Sequence, residues 1–308
     1  MLRAIVSSPI NLLLVAAPGS WLLAWLSHES PWVFITAAAS LIPLAGLIGL
    51  GTEQLARRAG PALGGFLNAT FGNAAELIIA IVALGRGHVA LVMPAVFDLS
   101  LYGNLSARPL AIDRLSFWSA LILIGAYAGS LIYAFTVQRD LFRPTKEARH
   151  VHAFPIGAAV TVLAAGTVLT TIQAELLVGA MGPALARFGF SELFVGVIVV
   201  ALIGNAAEHY SAVSAARQDE MTLAVEIAVG SSAQIALFVA PALVLYSFAM
   251  GHPMSLLFNA FEIAAIALSV LATCIVVVDG ESNWVEGLQL LSVYLILALA
   301  FYFVPHVG

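Results

Sequence analysis

The sequence predicts an all-α membrane protein, a polytopic bundle of transmembrane helices with two inverted-topology repeats. Of its 308 residues, 61% are hydrophobic and 9% are charged, whereas an ordinary globular domain has about 25% charged residues. Apolar runs of about 20 residues, the length that crosses a bilayer, follow one another along the chain. The pentapeptide Gly-Asn-Ala-Ala-Glu occurs twice inside such runs, at 72–76 and 204–208.

Nine runs are long and apolar enough to form transmembrane helices. They lie at 5–26, 32–51, 61–85, 115–138, 153–177, 191–215, 222–249, 255–278 and 285–304. The first run contains Val-Ala-Ala, which resembles a signal-cleavage site, but it continues past these small residues to Leu26 and therefore favours a membrane helix. The segment at 88–104 is shorter than a transmembrane span and includes Pro94 and Asp98, so we expect an interfacial or re-entrant segment there.

Basic residues give the predicted orientation, because they mark cytoplasmic loops. Arg57 and Arg58 follow the second run, Arg217 follows the sixth, and four Lys or Arg residues lie in the loop at 139–150. This pattern predicts a cytoplasmic N-terminus, although it places Arg86 and Arg187 outside. The two runs that contain the pentapeptide then cross the membrane in opposite directions.

The repeat extends beyond the pentapeptide. Glu53 corresponds to Glu175, and Gly-Pro-Ala-Leu occurs at 60–63 and again at 182–185. The apolar run at 222–249 contains several polar residues, and no similar run follows the first copy of the pentapeptide. We therefore expect the first half to lack about two transmembrane spans. The predicted organisation is an N-terminal transmembrane helix at 1–30, a shortened first half at 31–138, a cytoplasmic linker loop at 139–150 and a second half at 151–308.

The repeated glutamates are the main functional candidates. An intramembrane carboxylate is costly and is by default a functional-site hypothesis, and inverted repeats are typical of transporters with a midplane site. Two facing carboxylates in a low dielectric need protons or a cation, and oxygen ligands suit calcium. Two protons can then replace a departing divalent ion. The predicted metal ligands are Glu76, Glu208, Asn73, Asn205, Ser231, Ser232 and Gln234.

Each candidate also has a structural interpretation. The pentapeptide residues could be polar contacts at helix crossings, with their carboxyls protonated. Further candidates for proton coupling or gating are His209, Glu53, Glu175, Glu192 and Glu226. The alternatives are a packing contact beside Tyr210 for His209, solvated helix ends for Glu53 and Glu175, a first-turn dipole charge for Glu192, and the membrane interface for Glu226.

Other classes of function have little support in the residues. The net charge of −5 and the scattered basic residues give no indication of nucleic-acid binding. The single Cys274 excludes an intrachain disulfide and any multi-cysteine metal site. An intramembrane enzyme is disfavoured because the chain lacks His-Glu-x-x-His and Gly-x-Ser-x-Gly motifs. We expect no cofactor, with calcium or a similar divalent cation and protons as the transported partners.

The motif regions resemble the calcium/proton exchangers of the calcium:cation antiporter superfamily. "LNATFGNAAELIIAIVAL" is similar to the first repeat signature of that family, "SELFVGVIVVALIGNAAEHYSAVSAA" to the second, and "GSSAQIALFVAPALVL" to the helix that completes the second repeat. The resemblance implies eleven transmembrane helices in two five-helix repeats after a first helix. It also implies metal binding by Glu76 and Glu208, supported by Asn73, Asn205 and the Ser and Gln residues of 222–249.

The chain departs from that pattern where its own repeat fails. The family has a Gly-Ser helix after the first pentapeptide, and this sequence has none, as if about 40 residues, the length of two spans, were lost. About nine helices instead of eleven are therefore expected, and one wall of the ion site is missing. The predicted function is a divalent cation/proton antiporter in a prokaryotic inner membrane; the alternative is a transport-incompetent homologue that retains the scaffold.

Overall fold

A computed structural model of the chain describes residues 9–59 except 28, residue 67, residues 70–88 and 109–136, residues 155–278 except 257 and 259, and residues 280–303. Within these ranges the chain is built from helices. They are α1 (Ala16–Leu26, preceded by a 3-10 turn at Pro9–Val15), α2 (Pro31–Ala59), α3 (Ala74–Gly85), α4 (Pro109–Thr136), α5 (Ile156–Gly179), α6 (Met181–Phe188), α7 (Glu192–Gly204), α8 (Ala206–Arg217), α9 (Met221–Ala249), α10 (Ala260–Val277) and α11 (Trp284–Phe303).

Helices α2 and α5 form the most extensive helix pair among the described residues. They are the first helices of the two predicted halves, and two glycines allow them to approach closely. A Cβ at Gly51 would lie 2.9 Å from the backbone nitrogen of Leu163, and a Cβ at Gly166 would lie 3.1 Å from Cγ1 of Ile48. The close contact is consistent with the role of small residues at helix crossings in membranes, where dispersion contacts drive association.

The N-terminal helix is held to this pair by a buried polar contact. The hydroxyl of Ser20 donates to Oε1 of Gln173 at 2.8 Å, and both side chains are fully buried. An apolar core that includes Phe34, Leu41 and Ile79 then joins α2, α3 and α5. The motif helix α3 is therefore packed against the central pair.

We expect Gly51→Ala to lower the stability of the protein. The added Cβ meets backbone rather than a movable side chain, and overpacking of this kind typically costs about 1–3 kcal/mol. Gly49→Ala is the matched control, because a Cβ there has open space within 4 Å on the same helix. Thermal unfolding in detergent should show a lower Tm for Gly51→Ala but not for Gly49→Ala. Equal Tm values for the two variants would contradict the close approach of α2 and α5 at Gly51.

The predicted fold class agrees with the helices that the structure describes. Seven of them are long and apolar enough to cross a membrane, or eight if the pair α6 and α7, bent by 110°, is counted as one span. Seven of the nine predicted runs thus correspond to single long helices. The other two, 61–85 and 191–215, contain the pentapeptide, and both are interrupted there.

Three predicted features lie outside the described residues. These are the interfacial or re-entrant segment, of which only residue 88 is described, the cytoplasmic linker loop at 139–150 and the first Gly-Pro-Ala-Leu at 60–63. The second Gly-Pro-Ala-Leu lies in the short helix α6, which ends at Gly189 in the left-handed region, with φ 70°.

Candidate functional site

The two pentapeptides break their helices in the same way. α3 begins directly after Asn73, with φ −98° and ψ 20°, and α8 begins directly after Asn205, with φ −85° and ψ 15°. The carbonyl of Asn73 accepts the first helical bond from the amide of Leu77 at 3.1 Å, and that of Asn205 accepts from His209 at 3.0 Å. Each predicted apolar run is therefore interrupted at its pentapeptide, where a helix begins directly after the Asn residue.

This interruption places both glutamates in the first turn of a helix. Glu76 lies in the first turn of α3 and Glu208 in that of α8. The first amides of a helix have no partner within the helix, and the helix dipole makes this end favourable for negative charge. Discontinuous membrane helices whose ends point at ions are the usual construction of transporter sites.

The first glutamate is seated against the second motif. A Cβ at Gly204 would lie 2.9 Å from Cγ of Glu76 and 3.4 Å from its Oε1. The glycine of one pentapeptide thus makes room for the glutamate of the other. The atoms nearest to this glycine belong to a carboxylate side chain rather than to a neighbouring backbone.

The carboxylates are buried without hydrogen-bond donors. Among the described residues, Oε1 and Oε2 of Glu76 and Oε2 of Glu208 are buried and have no hydrogen-bond partner. A buried polar atom without a partner loses its hydration and gains nothing in exchange, so these oxygens would be stabilised by a proton or a bound cation. Among the described residues no group of three or more His, Cys, Asp or Glu side chains could hold a metal, so further ligands would have to be amides, hydroxyls or water.

An amide pair lies beside the first glutamate. Nδ2 of Asn73 donates to Oε1 of Gln234 at 2.6 Å, and Asn73 is 2% exposed. The structure therefore brings Gln234 of α9 to the first motif, and a π-helical turn at Ile235–Val239 follows it directly. Such turns are frequent at functional sites because they shift the side-chain register of a helix.

The second motif has no comparable partner within the described residues. The amide of Asn205 donates to the carbonyl of Ala201 at 3.0 Å, within its own chain segment, and Asn205 is only half-buried. The serines at 231 and 232 donate to the carbonyl of Ala228 at 3.1 and 3.0 Å. Among the described residues, a side-chain amide from α9 thus reaches Asn73, whereas none reaches Asn205.

The gating candidates fall into two groups. His209 is exposed, and its Nδ1 contacts the carbonyl of Asn205 at 2.5 Å; Glu53 and Glu226 are exposed as well. Glu175 pairs with Arg86, while Oε1 of Glu192 lies 3.2 Å from Nδ1 of His88. The sequence did not indicate Arg86 or His88 as candidates for gating. The predicted topology did, however, place Arg86 among the two arginines on the outer side.

The structure and sequence both match known exchangers. The sodium/calcium exchanger protein family matches residues 29–101 and 158–303, and the second segment is about twice as long as the first. The chain is 35% identical to the "Ca(2+)/H(+) antiporter" of Aphanothece halophytica, covering 96% of this chain and 97% of the relative. It is also 35% identical to the "Ca(2+)/H(+) antiporter ChaA" of Bacillus subtilis, covering 95% and 99%.

A solved structure, "Structure of native YfkE", superposes with a TM-score of 0.77 at 31% identity, covering 96% of this chain and 100% of that one. The alignment with the Aphanothece protein has 367 positions, more than the 308 residues of this chain. It therefore includes positions at which the relative has residues and this chain has none. With matches over both halves and to these relatives, the chain belongs to the sodium/calcium exchanger protein family.

Proposed function

We propose that the chain exchanges Ca²⁺, or a similar divalent cation, for protons across a membrane by alternating access. Its relatives named Ca(2+)/H(+) antiporters support the general class of function, which is transport rather than enzymatic catalysis. The observation that supports the mechanism is the burial of Glu76 and Glu208 with three carboxylate oxygens lacking a donor. These oxygens are suited to bind either a hard cation or protons.

The exchange chemistry follows from charge. Two carboxylates neutralise one divalent ion, and two protons neutralise the same pair once the ion has left. A low-dielectric site disfavours the bare, doubly charged state, so one occupant leaves only as the other replaces it. The neighbouring amides of Asn73 and Gln234 supply further oxygens of the type that calcium accepts. Ser231, Ser232 and Asn205 are proposed as additional ligands, with water completing the shell.

The chain is a multi-pass integral membrane protein, and its long apolar helices agree with membership of a transporter family. For its setting we propose a prokaryotic inner membrane with a cytoplasmic N-terminus, on the basis of the loop arginines. An inward proton gradient would then drive the cation out of the cytoplasm. The division into a shortened first half at 31–138 and a second half at 151–308 belongs to the same proposal.

A second candidate function is favoured by a specific observation. Among the residues that the structure describes, Asn205 has no side-chain amide partner like the one that Asn73 has in Gln234, and the Aphanothece relative has residues that this chain lacks. A chain with one open wall could retain the scaffold without transporting. The relatives' names do not discriminate between this candidate and the exchanger.

Proton flux discriminates between them. The purified 308-residue chain is placed in liposomes that contain a pH-sensitive dye, and external calcium is raised. We expect proton release that saturates with calcium and is absent from protein-free liposomes. No flux from this chain, together with flux from a chimera that receives the first-repeat helices of the Aphanothece relative, would establish the transport-incompetent candidate and overturn the exchanger.

A further inference from the structure

The turn that follows the first motif helix contacts the second half of the chain at two points. α3 is followed directly by the sequence Arg86-Gly87-His88. The amide of Gly87 donates to the carbonyl of Leu84 at 3.0 Å, and the amide of His88 donates to the carbonyl of Ala83 at 2.9 Å. Gly87 has φ 81°, a left-handed conformation that other residues rarely adopt. This glycine reverses the chain between the side chains of Arg86 and His88.

Arg86 pairs with the last turn of α5. Its Nη2 bonds to Oε2 of Glu175, and its guanidinium lies over Gly179, where a Cβ would be 2.6 Å from Nη1. A cavity of about 190 Å³ lies beside this pair, and Ala180 is among its lining residues. The absence of a side chain at Gly179 therefore lets the arginine reach across the end of α5.

His88 contacts the start of α7. Its Nδ1 lies 3.2 Å from Oε1 of Glu192, and the two side chains are about 30% exposed. Glu192 follows Ser191, whose hydroxyl accepts from the amide of Phe194 at 3.0 Å and caps α7. α6 lies between Glu175 and Glu192 along the chain, so the turn binds on both sides of it.

We propose that the Arg86-Gly87-His88 turn is an ion-pair clamp that closes the outer end of the transporter and positions Glu76. Arg86 and His88 act as positioning residues, because α3 is one short helix with Glu76 in its first turn and the clamp directly after its last residue. Its 12 residues span about 18 Å at 1.5 Å per residue. A displacement of the clamp is therefore transmitted to the carboxylate that rests on Gly204.

The inference rests on the proposed function only for its consequence in transport. Half-exposed pairs such as Arg86 and Glu175 shift an equilibrium by roughly two- to fivefold. An effect of that size favours the closed state of the clamp but still allows the clamp to open, as alternating access requires. Opening of the clamp should expose the cavity wall at Ala180, which is 2% exposed.

The test measures that exposure directly. Ala180→Cys is introduced together with Cys274→Ser, because Cys274 is exposed, and a membrane-impermeant maleimide is applied from outside intact cells. We expect Arg86→Glu to raise the labelling rate two- to fivefold and the reversed pair Arg86→Glu with Glu175→Arg to restore it. Arg187→Glu is the matched control, since no ion pair within the described ranges involves Arg187.

Two results would overturn the clamp. Equal labelling of Arg86→Glu and Arg187→Glu would show that the pair does not close this end. Raised labelling that the reversed pair leaves unchanged would show that Arg86 acts by packing on Gly179 rather than by charge. Labelling needs no transport, so the expected pattern in a chain without calcium-dependent proton flux would sustain the clamp and contradict the proposed function alone.

Discussion

Glu76→Gln and Glu208→Gln are each expected to abolish calcium-dependent proton flux in liposomes. Glutamine keeps the size of the side chain beside Gly204, but it removes both the negative charge and the group that carries the proton. Loss of a residue that merely orients a metal ligand lowers metal affinity about 10- to 100-fold, so loss of a ligand itself should lower flux by about 100-fold or more. Flux is measured with the dye assay at saturating calcium.

Glu286→Gln is the control for these variants. Glu286 is a half-buried carboxylate in the first turn of α11, remote along the chain from both motifs, and its replacement should leave flux unchanged. Undiminished flux in either motif variant would mean that one carboxylate is sufficient, and the paired mechanism would then be abandoned.

Gly204→Ala is expected to lower flux about 10- to 100-fold, because a displacement of about 1 Å at a reacting group can have an effect of that size. The added Cβ would lie 2.9 Å from Cγ of Glu76. That atom is close to the α3 backbone, so rotation of the carboxylate tip alone does not relieve the contact. The side chain of Glu76 therefore has to move away from residue 204.

Gly125→Ala is the matched variant for this substitution, since a Cβ at that position in α4 has open space within 4 Å. It should retain parental flux. Comparison of calcium KM with maximal flux adds a second criterion, because a displaced ligand should raise the KM. Parental kinetics in Gly204→Ala would show that the contact between the repeats does not position Glu76.

The sequence predicted the membrane class and the duplicated motif because these depend on composition and repetition. It also named Asn73 and Gln234 among its candidates, and the structure brings these two side chains into contact. It did not predict that the helices break at Asn73 and Asn205, since the apolar runs continue through both positions and hydropathy does not report backbone hydrogen bonds. Gly and Asn side by side were the available signal, because both residues are frequent where helices end.

The partners of charged residues were harder to predict. Arg86 and Glu175 are far apart in the chain, and only the packing of α3 on α5 brings them together. A pattern of one residue type cannot specify such a contact. The predicted topology places Arg86 on the side that normally lacks basic residues, which was a local indication that this arginine has a specific partner.

The seat of Glu76 on Gly204 also has a consequence for biosynthesis. Glu76 is synthesised more than a hundred residues before Gly204, and Asn73 likewise precedes Gln234. While the ribosome is still translating the second half, the first motif is in the translocon or in lipid with neither of its partners, where a central charge costs about 3 kcal/mol. We therefore expect the nascent first half to insert poorly until α7 to α9 arrive and supply these partners.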